Sequence, residues 1–183
     1  MRSRLIATMA VVALALAGCG SSDAAAPKAP AGGEHNEADT QFSLMMIPHH
    51  KQTIQIADLA TKRGSAEPVK VVAAEIMSAE ERDIQQMTGW LKGWGVPVPS
   101  ADEHKGMDMP GMLTDKDIKS LESAQGAAFD KLFLPMVAKH LENGVTMAKD
   151  VLKSGQHAET KALANKIVTE QEDQIKKVQA LIT

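Results

Sequence analysis

The sequence predicts an all-α fold, a four-helix bundle built from two repeated antiparallel helical hairpins joined by a long Met-rich crossover. Three observations support this fold class. Apolar residues recur at the spacing of helix faces, the folded part repeats itself at an offset of 91 residues, and a connection rich in proline and glycine separates the two copies.

The repeat is visible without gaps. A shift of 91 residues aligns eleven identical pairs over roughly fifty positions. These pairs include Phe42 with Phe133, Met45 with Met136, His49 with His140, Gly64 with Gly155 and Glu81 with Glu172. Chance matching of Ala-rich helices is the alternative, but the shared turn glycines favour duplication of one unit. The repeat units are predicted at about 39–93 and 127–183.

Each unit reads as a helical hairpin. Apolar residues recur every three or four positions from Phe42 to Ala60, and Gly64 follows two basic residues, as is typical of a helix end. Pro68 then falls in the first turn of a second helix, and the second unit repeats this turn around Gly155. Because the turns are short, the two helices of each unit are expected to be antiparallel.

The crossover is predicted at about 94–126, with one short helix over 115–123. Two hairpins joined by one long connection have ferritin-like connectivity. Pro48 and Pro135 are expected near the starts of the first and third helices, where proline sets the first turn or introduces a kink.

The N-terminal segment predicts where the protein is located. Two arginines, an apolar run too short to span a bilayer, and the small residues before Cys19 resemble a bacterial lipoprotein signal peptide. We therefore predict a signal peptide at 1–18, a lipid on Cys19 and a flexible tether at 19–38 that is rich in Ala, Gly and Pro. The folded domain, 39–183, would be anchored on the extracytoplasmic face of a membrane in the cell envelope. An ordinary signal peptide with an incidental cysteine is the alternative.

The composition excludes several function classes. Loss of residues 1–18 lowers the formal net charge from −3 to −5, and the chain has no Tyr, so nucleic acid is an unsuitable partner. Cys19 is the only cysteine, which leaves no thiol for a disulfide or a zinc site once it carries lipid. Soft-metal chemistry would have to use thioethers and imidazoles.

Methionine and histidine recur together on the first helix of each unit. Met45 and His49, like Met46 and His50, are four residues apart, and the second unit repeats one such pair as Met136 and His140. Side chains at this spacing lie close enough on a helix to share a metal ion. The alternative is that these histidines are hydrogen-bonded members of the core.

Carboxylates are expected level with these histidines. His49 lies as far before Gly64 as Glu80 and Glu81 lie beyond the turn, and the same arithmetic places Glu172 beside His140. These glutamates could be ligands, could orient the imidazoles, or could form purely structural hydrogen bonds with them.

The crossover carries His104, Met107, Met109 and Met112 within nine residues. Thioether sulfur selects Cu(I) or Ag(I) over zinc, calcium or magnesium, and imidazole adds the capacity to bind Cu(II). The pattern predicts a soft-metal site, with copper as the favoured cargo and silver as a further one. An apolar loop packed over the end of the bundle is the alternative.

The runs FSLMMIPHH and FDKLFLPMVAKH resemble a bacterial ferritin-like "domain of unknown function" family of secreted and lipid-anchored proteins, which includes periplasmic copper-binding CopM-like members. The resemblance covers roughly residues 38–183. It implies a four-helix bundle, copper binding and metal resistance. The Met/His cluster of the family falls on Met45, Met46, His49, His50, Met136 and His140. This sequence has Leu141 where the second unit of the family usually has a second histidine, which favours a site in the first hairpin.

Three functions follow as hypotheses. The preferred one is a non-catalytic copper or silver protein that sequesters the metal or delivers it to an unidentified protein partner. The second is a structural or protein-interaction lipoprotein whose His/Glu layer only stabilises the bundle. The third, a di-iron redox enzyme, is disfavoured because the sequence contains no Glu-x-x-His motif.

Overall fold

Five α-helices form the part of the chain that our computed structural model describes, residues 34–100 and 111–182, and this part contains no β-strand. They are α1 (Glu37–Arg63), α2 (Glu67–Gly93), α3 (Asp115–Ser123), α4 (Gly126–Ser154) and α5 (Ala158–Gln179). The predicted all-α four-helix bundle is confirmed, as is the short helix over 115–123.

Two hairpins, α1–α2 and α4–α5, associate through their first helices. The α1 and α4 helices pack against each other, α2 contacts α5, and α3 lies across α1 and α4. Within 34–100 and 111–182, none of the helices combines the length and the apolar character needed to cross a bilayer.

The first helix begins earlier than the sequence analysis predicted. Asn36 accepts a hydrogen bond from the Asp39 backbone N–H at 3.1 Å, and the Asp39 carboxylate accepts one from the Asn36 N–H at 2.9 Å. This capping box starts α1 at Glu37, two residues before the predicted start of the folded domain at residue 39. Pro48 therefore lies well inside α1, as Pro135 does inside α4, and neither belongs to a first turn.

Two buried aspartates hold the hairpins in register. The carboxylate of Asp39, on α1, accepts hydrogen bonds from the backbone N–H groups of Gln156 and His157 in the other hairpin's turn, both at 3.0 Å. Asp130, on α4, does the same for Ser65 and Ala66 at 3.2 and 3.1 Å. The residues of these two contacts are equivalent in the repeat: each residue of the Asp39 contact lies 91 positions from its counterpart in the Asp130 contact. Each hairpin therefore fixes the turn of the other.

The turn glycines are required by this arrangement. A Cβ atom on Gly155 would lie 2.6 Å from an Asp39 carboxylate oxygen, and one on Gly64 would lie 3.0 Å from Asp130. The identity of these residues in the two repeat units thus follows from the close approach of the carboxylate to the turn.

A layer of polar residues divides the apolar core. One apolar cluster is centred on Ile76, Phe129 and Phe133, and the other on Met46, Met87 and Leu91. Between them all four bundle helices contribute buried polar side chains, here called the polar layer: His49, His50, Thr53, Glu80, Asp83, His140, Gln171 and Gln174.

We predict that Asp39→Asn and Asp130→Asn each lower the free energy of unfolding by about 1–3 kcal/mol, because a neutral amide oxygen accepts backbone hydrogen bonds more weakly than a carboxylate oxygen does. We call the contact of each aspartate with the turn of the other hairpin a clasp. The losses of unfolding free energy in the two variants should add, since the two clasps lie at opposite ends of the bundle. Urea denaturation measures this.

The matched control is Asp150→Asn, whose exposed carboxylate bonds Lys153 at 2.7 Å. If Asp39→Asn costs no more than this control, the clasp does not hold the hairpins together.

Candidate metal site

Two histidines from the repeated first helices meet at the centre of the polar layer. The rings of His49 and His140 stack, with centroids 3.8 Å apart and planes inclined by 11°. His140 Nε2 lies 3.2 Å from the backbone carbonyl of His49, 91 positions away. The pseudo-two-fold axis that relates the two units therefore passes through this pair.

The imidazole of His140 has two acceptors and, when neutral, only one proton. Its Nδ1 lies 2.9 Å from the carbonyl of Gly111, while Nε2 faces the carbonyl of His49. Burial lowers the pKa of His140 to about 4, so the ring is neutral near pH 7. One ring nitrogen then directs a lone pair at a carbonyl oxygen.

His49 has no hydrogen-bond partner for either ring nitrogen among the described residues, although it is fully buried. Burial, together with the neighbouring His140 and His50, holds its pKa well below the usual value. Unpaired buried nitrogen atoms are costly, and they are what a metal-binding imidazole leaves when no ion is present.

The adjacent His50 lies in a different environment. Its Nδ1 is 3.8 Å from Glu80 Oε1 and its Nε2 is 3.6 Å from Asp83 Oδ2, beyond hydrogen-bond length but close enough for a strong charge interaction. Burial opposes the charged imidazole, yet the two carboxylates raise its pKa. Lys166 Nζ contacts Asp83 at 2.8 Å, and Gln171 donates to Glu80 at 3.1 Å.

The two carboxylates differ in their protonation. Burial raises the pKa of Glu80 to about 7, against the opposing effect of His50. Burial also acts on Asp83, but His50 and Lys166 outweigh it and lower the pKa of this residue. Near neutral pH the cluster can therefore hold a proton on His50, on Glu80, or on both.

Only one half of the polar layer is ionisable in this way. Relative to the first unit, the second has Leu141 for His50, Gln171 for Glu80 and Gln174 for Asp83. Gly144 stands where the first unit has Thr53, and a Cβ there would lie 2.4 Å from the Gln171 amide oxygen.

A cavity of about 530 Å³ beside the second unit brings thioethers and an imidazole together. Met112 from the crossover, and Met136 and His140 from α4, are among its lining residues. The sequence favoured a metal site in the first hairpin and left open whether residues of the crossover and of the bundle share one site. The structure places Met112 of the crossover beside the second unit, because the crossover returns to the bundle at this level.

The crossover is held here by backbone contacts. The Gln52 side chain donates to the Leu113 carbonyl at 3.0 Å and accepts from its N–H at 2.7 Å. Gly111 has a φ of +91°, and a Cβ on it would lie 2.2 Å from Asn143 Cγ. Met112 lies between these two fixed points.

The remaining candidates are spread over several environments. Met46 is fully buried in the apolar core, whereas Met45 is 36% exposed and lines a separate groove. Glu81 is exposed, and Glu172 pairs with Lys149 at the surface, so neither faces an imidazole. Cys19, His104, Met107 and Met109 lie outside the described residues.

Sequence reasoning missed Asp83, Gln171, Lys166 and Gln52. A signal existed for the first two: Asp83 lies three positions after Glu80 on the buried face, and Gln171 is the repeat counterpart of Glu80. Among residues 34–100 and 111–182, no group of three or more His, Cys, Asp or Glu side chains is placed to hold a metal ion.

We predict that Glu80→Gln flattens the pH dependence of stability. The raised pKa means that folded Glu80 keeps a proton that the unfolded chain releases. The contribution of this protonation to the free energy of unfolding is fully present below about pH 4.5. It is lost as the pH rises through about 7. His50 acts in the same direction, and its pKa should fall without the carboxylate.

The change in unfolding free energy between pH 5 and pH 8 should shrink by on the order of 1–3 kcal/mol in Glu80→Gln, as measured by urea denaturation at each pH. Glu81→Gln, at the exposed neighbouring position, is the control and should retain the parent slope. Equal slopes for all three proteins would show that Glu80 does not titrate in this range.

Known structures share this fold. A DUF305 protein from Streptomyces coelicolor, described as secreted, is 30% identical, with a TM-score of 0.72 over 79% of this chain and 89% of that one. A DUF305 fragment from Deinococcus radiodurans has a TM-score of 0.73 at 23% identity, over 80% of this chain and 96% of that one, and shows the fold alone. No curated protein matches the sequence.

CopM in its Cu(II)-bound form is 28% identical, with a TM-score of 0.69 over 79% of this chain and 95% of that one. CopM structures with Cu(I), with silver and without metal show the same similarity of fold. The sequence profile described as "Domain of unknown function (DUF305)" matches residues 39–182. The chain therefore belongs to the DUF305 family.

Proposed function

We propose that this protein binds Cu(I) or Ag(I), and also Cu(II), through methionine and histidine side chains, and that it sequesters or delivers the metal in the cell envelope. The observation that carries the proposal is the cavity in which Met112, Met136 and His140 meet. Two thioethers and one imidazole form a donor set that favours soft monovalent metals, while the imidazole also suits Cu(II).

The hydrogen bonding of His140 supports a ligand role. Metal-binding histidines commonly donate the N–H of the other ring nitrogen to a carbonyl, which fixes the tautomer. The His49 carbonyl at Nε2 can play that part. Nδ1 then carries the lone pair on the side of Gly111, which lines the cavity, and the Gly111 carbonyl cannot donate to it. A bound cation would remove this repulsion.

The similarity to CopM supports the same class of cargo. CopM has been crystallised with Cu(II), Cu(I) and silver, and this chain is 27–28% identical to it. The role we propose is binding rather than catalysis. The His50–Glu80–Asp83 cluster, which does not line the Met/His cavity, favours a structural role for that half of the layer.

We further propose that the protein is lipid-anchored through Cys19 on the extracytoplasmic face of a membrane. The support is the signal-peptide pattern that ends at Cys19. The similarity to a Streptomyces coelicolor protein described as secreted supports the extracytoplasmic location.

We predict that Met112→Leu combined with Met136→Leu weakens Cu(I) binding at least tenfold, about 1.4 kcal/mol. Leucine conserves apolar volume, so the melting temperature should change little. Titration of the full chain in detergent against a chromophoric Cu(I) chelator measures the affinity.

Met77→Leu is the control, because Met77 is also partly buried but lies on α2 and does not line the cavity. An unchanged Cu(I) affinity in the double variant, with the control equally unchanged, would remove the cavity as the binding site.

For the anchor, we predict that Cys19→Ser moves the protein from the membrane fraction to the soluble fraction, because the acyl chains that hold it at the surface are lost. Cell fractionation and mass spectrometry of the mature N-terminus measure this. A parent protein without lipid on Cys19 would contradict the anchor.

A further inference from the structure

A second pair of methionines lies on the other half of the α1–α4 face. Met45 on α1 and Met147 on α4 both line a groove of about 250 Å³, and Asp150 is also part of its wall. No histidine is among the lining residues of this groove. It is therefore distinct from the cavity at His140.

Core packing does not account for Met45. Within the described ranges it is one of three large apolar side chains that are exposed, at 36%. A methionine that fills a gap in a core is enclosed by neighbours. Met45 instead presents its thioether to an open groove.

In the other half, the positions equivalent to this groove pack against the apolar core, although Met136 also lines the cavity at His140. A shift of 91 residues relates Met45 and Met147 to Met136 and Ile56. Those two residues belong to the apolar cluster on which α3 packs through Leu121. The groove at Met45 has no such helix over it in the described part of the chain.

Both copies of the repeated methionine have a second thioether near them, from unrelated sources. Met136 shares its cavity with Met112 of the crossover, which lies outside the repeat. Met45 shares its groove with Met147, whose counterpart Ile56 is apolar and not a ligand. Duplication of the hairpin alone therefore does not explain the pairing.

We propose that Met45 and Met147 form a second soft-metal site, which takes Cu(I) or Ag(I) through thioether sulfur and does not take Cu(II). Thioethers bind soft monovalent ions, and Cu(II) needs the imidazole that this groove lacks. The Asp150 carboxylate contributes negative charge beside the ion, although it also pairs with Lys153. The site is separate from the Met112–Met136–His140 cavity.

The test is NMR of the full chain in detergent, labelled with ¹³C at the methionine methyl groups and titrated with Ag(I). The Met45 and Met147 methyl resonances should shift together with one saturation curve. Those of Met77 and the fully buried Met87 should not shift. With Cu(II), only methyl groups near His140 should broaden.

Variants separate the two sites. Met45→Leu should abolish the Ag(I) shift of Met147, and Met147→Leu that of Met45, while Met112 and Met136 respond as in the parent. Met77→Leu should change neither pair. Circular dichroism confirms that each variant is folded.

The second site is overturned if Met112 and Met136 shift while Met45 and Met147 do not, or if Met147→Leu leaves the Met45 response intact. Those results would leave the proposed function standing. Shifts at Met45 and Met147 alone would support the second site and contradict the cavity at His140. No shift at any methionine would contradict both sites.

Discussion

The clasp between each buried aspartate and the turn of the opposite hairpin sets the geometry of the whole bundle. A carboxylate that accepts several backbone hydrogen bonds fixes a turn in both position and direction, and there is one such clasp at each end. With both ends fixed, the axial register of α1 against α4 has no freedom. His49 must then meet His140, and Glu80 must meet Gln171, at the centre. The polar layer is a consequence of contacts made at the two ends of the helices.

That layer is expensive for a bundle of this size. It interrupts the apolar core, and it leaves both ring nitrogens of His49 and His50, and one oxygen of Glu80, without hydrogen-bond partners among the described residues. Each such group costs roughly 1–3 kcal/mol when buried. Apolar residues at the same positions would give a more stable bundle. A fold that keeps this layer gives up stability at these positions, as proteins commonly do where polar groups are built into a core.

The sequence predicted the features that depend on local pattern. Helical periodicity and the turn glycines were enough for the two hairpins, and α3 has the bounds that were predicted. The start of α1 was missed although Asn36 and Asp39 have capping-box spacing, because the preceding Ala, Gly and Pro residues read as a tether. The distances in sequence from the α1–α2 turn predicted that Glu80 and Glu81 lie at the same height along the bundle as His49. Which of the two glutamates points inward depends on the rotation of α2, and that is decided by packing. The clamp of Gln52 on Leu113 joins residues 61 positions apart and has no local signature.

The contact between Glu80 and Gln171 has a consequence for how the hairpins recognise each other. These two residues occupy equivalent positions and touch across the pseudo-two-fold axis. If the first hairpin associated with a copy of itself, the axis would bring one Glu80 carboxylate against another, and buried carboxylates at such distances cannot both ionise. Two copies of the second hairpin would place amide against amide, with no charge conflict, and with Leu141 in the position of His50. The mixed pair alone joins an amide donor to a carboxylate acceptor. The differences between the two halves thus favour pairing of each half with the other over pairing with a copy of itself.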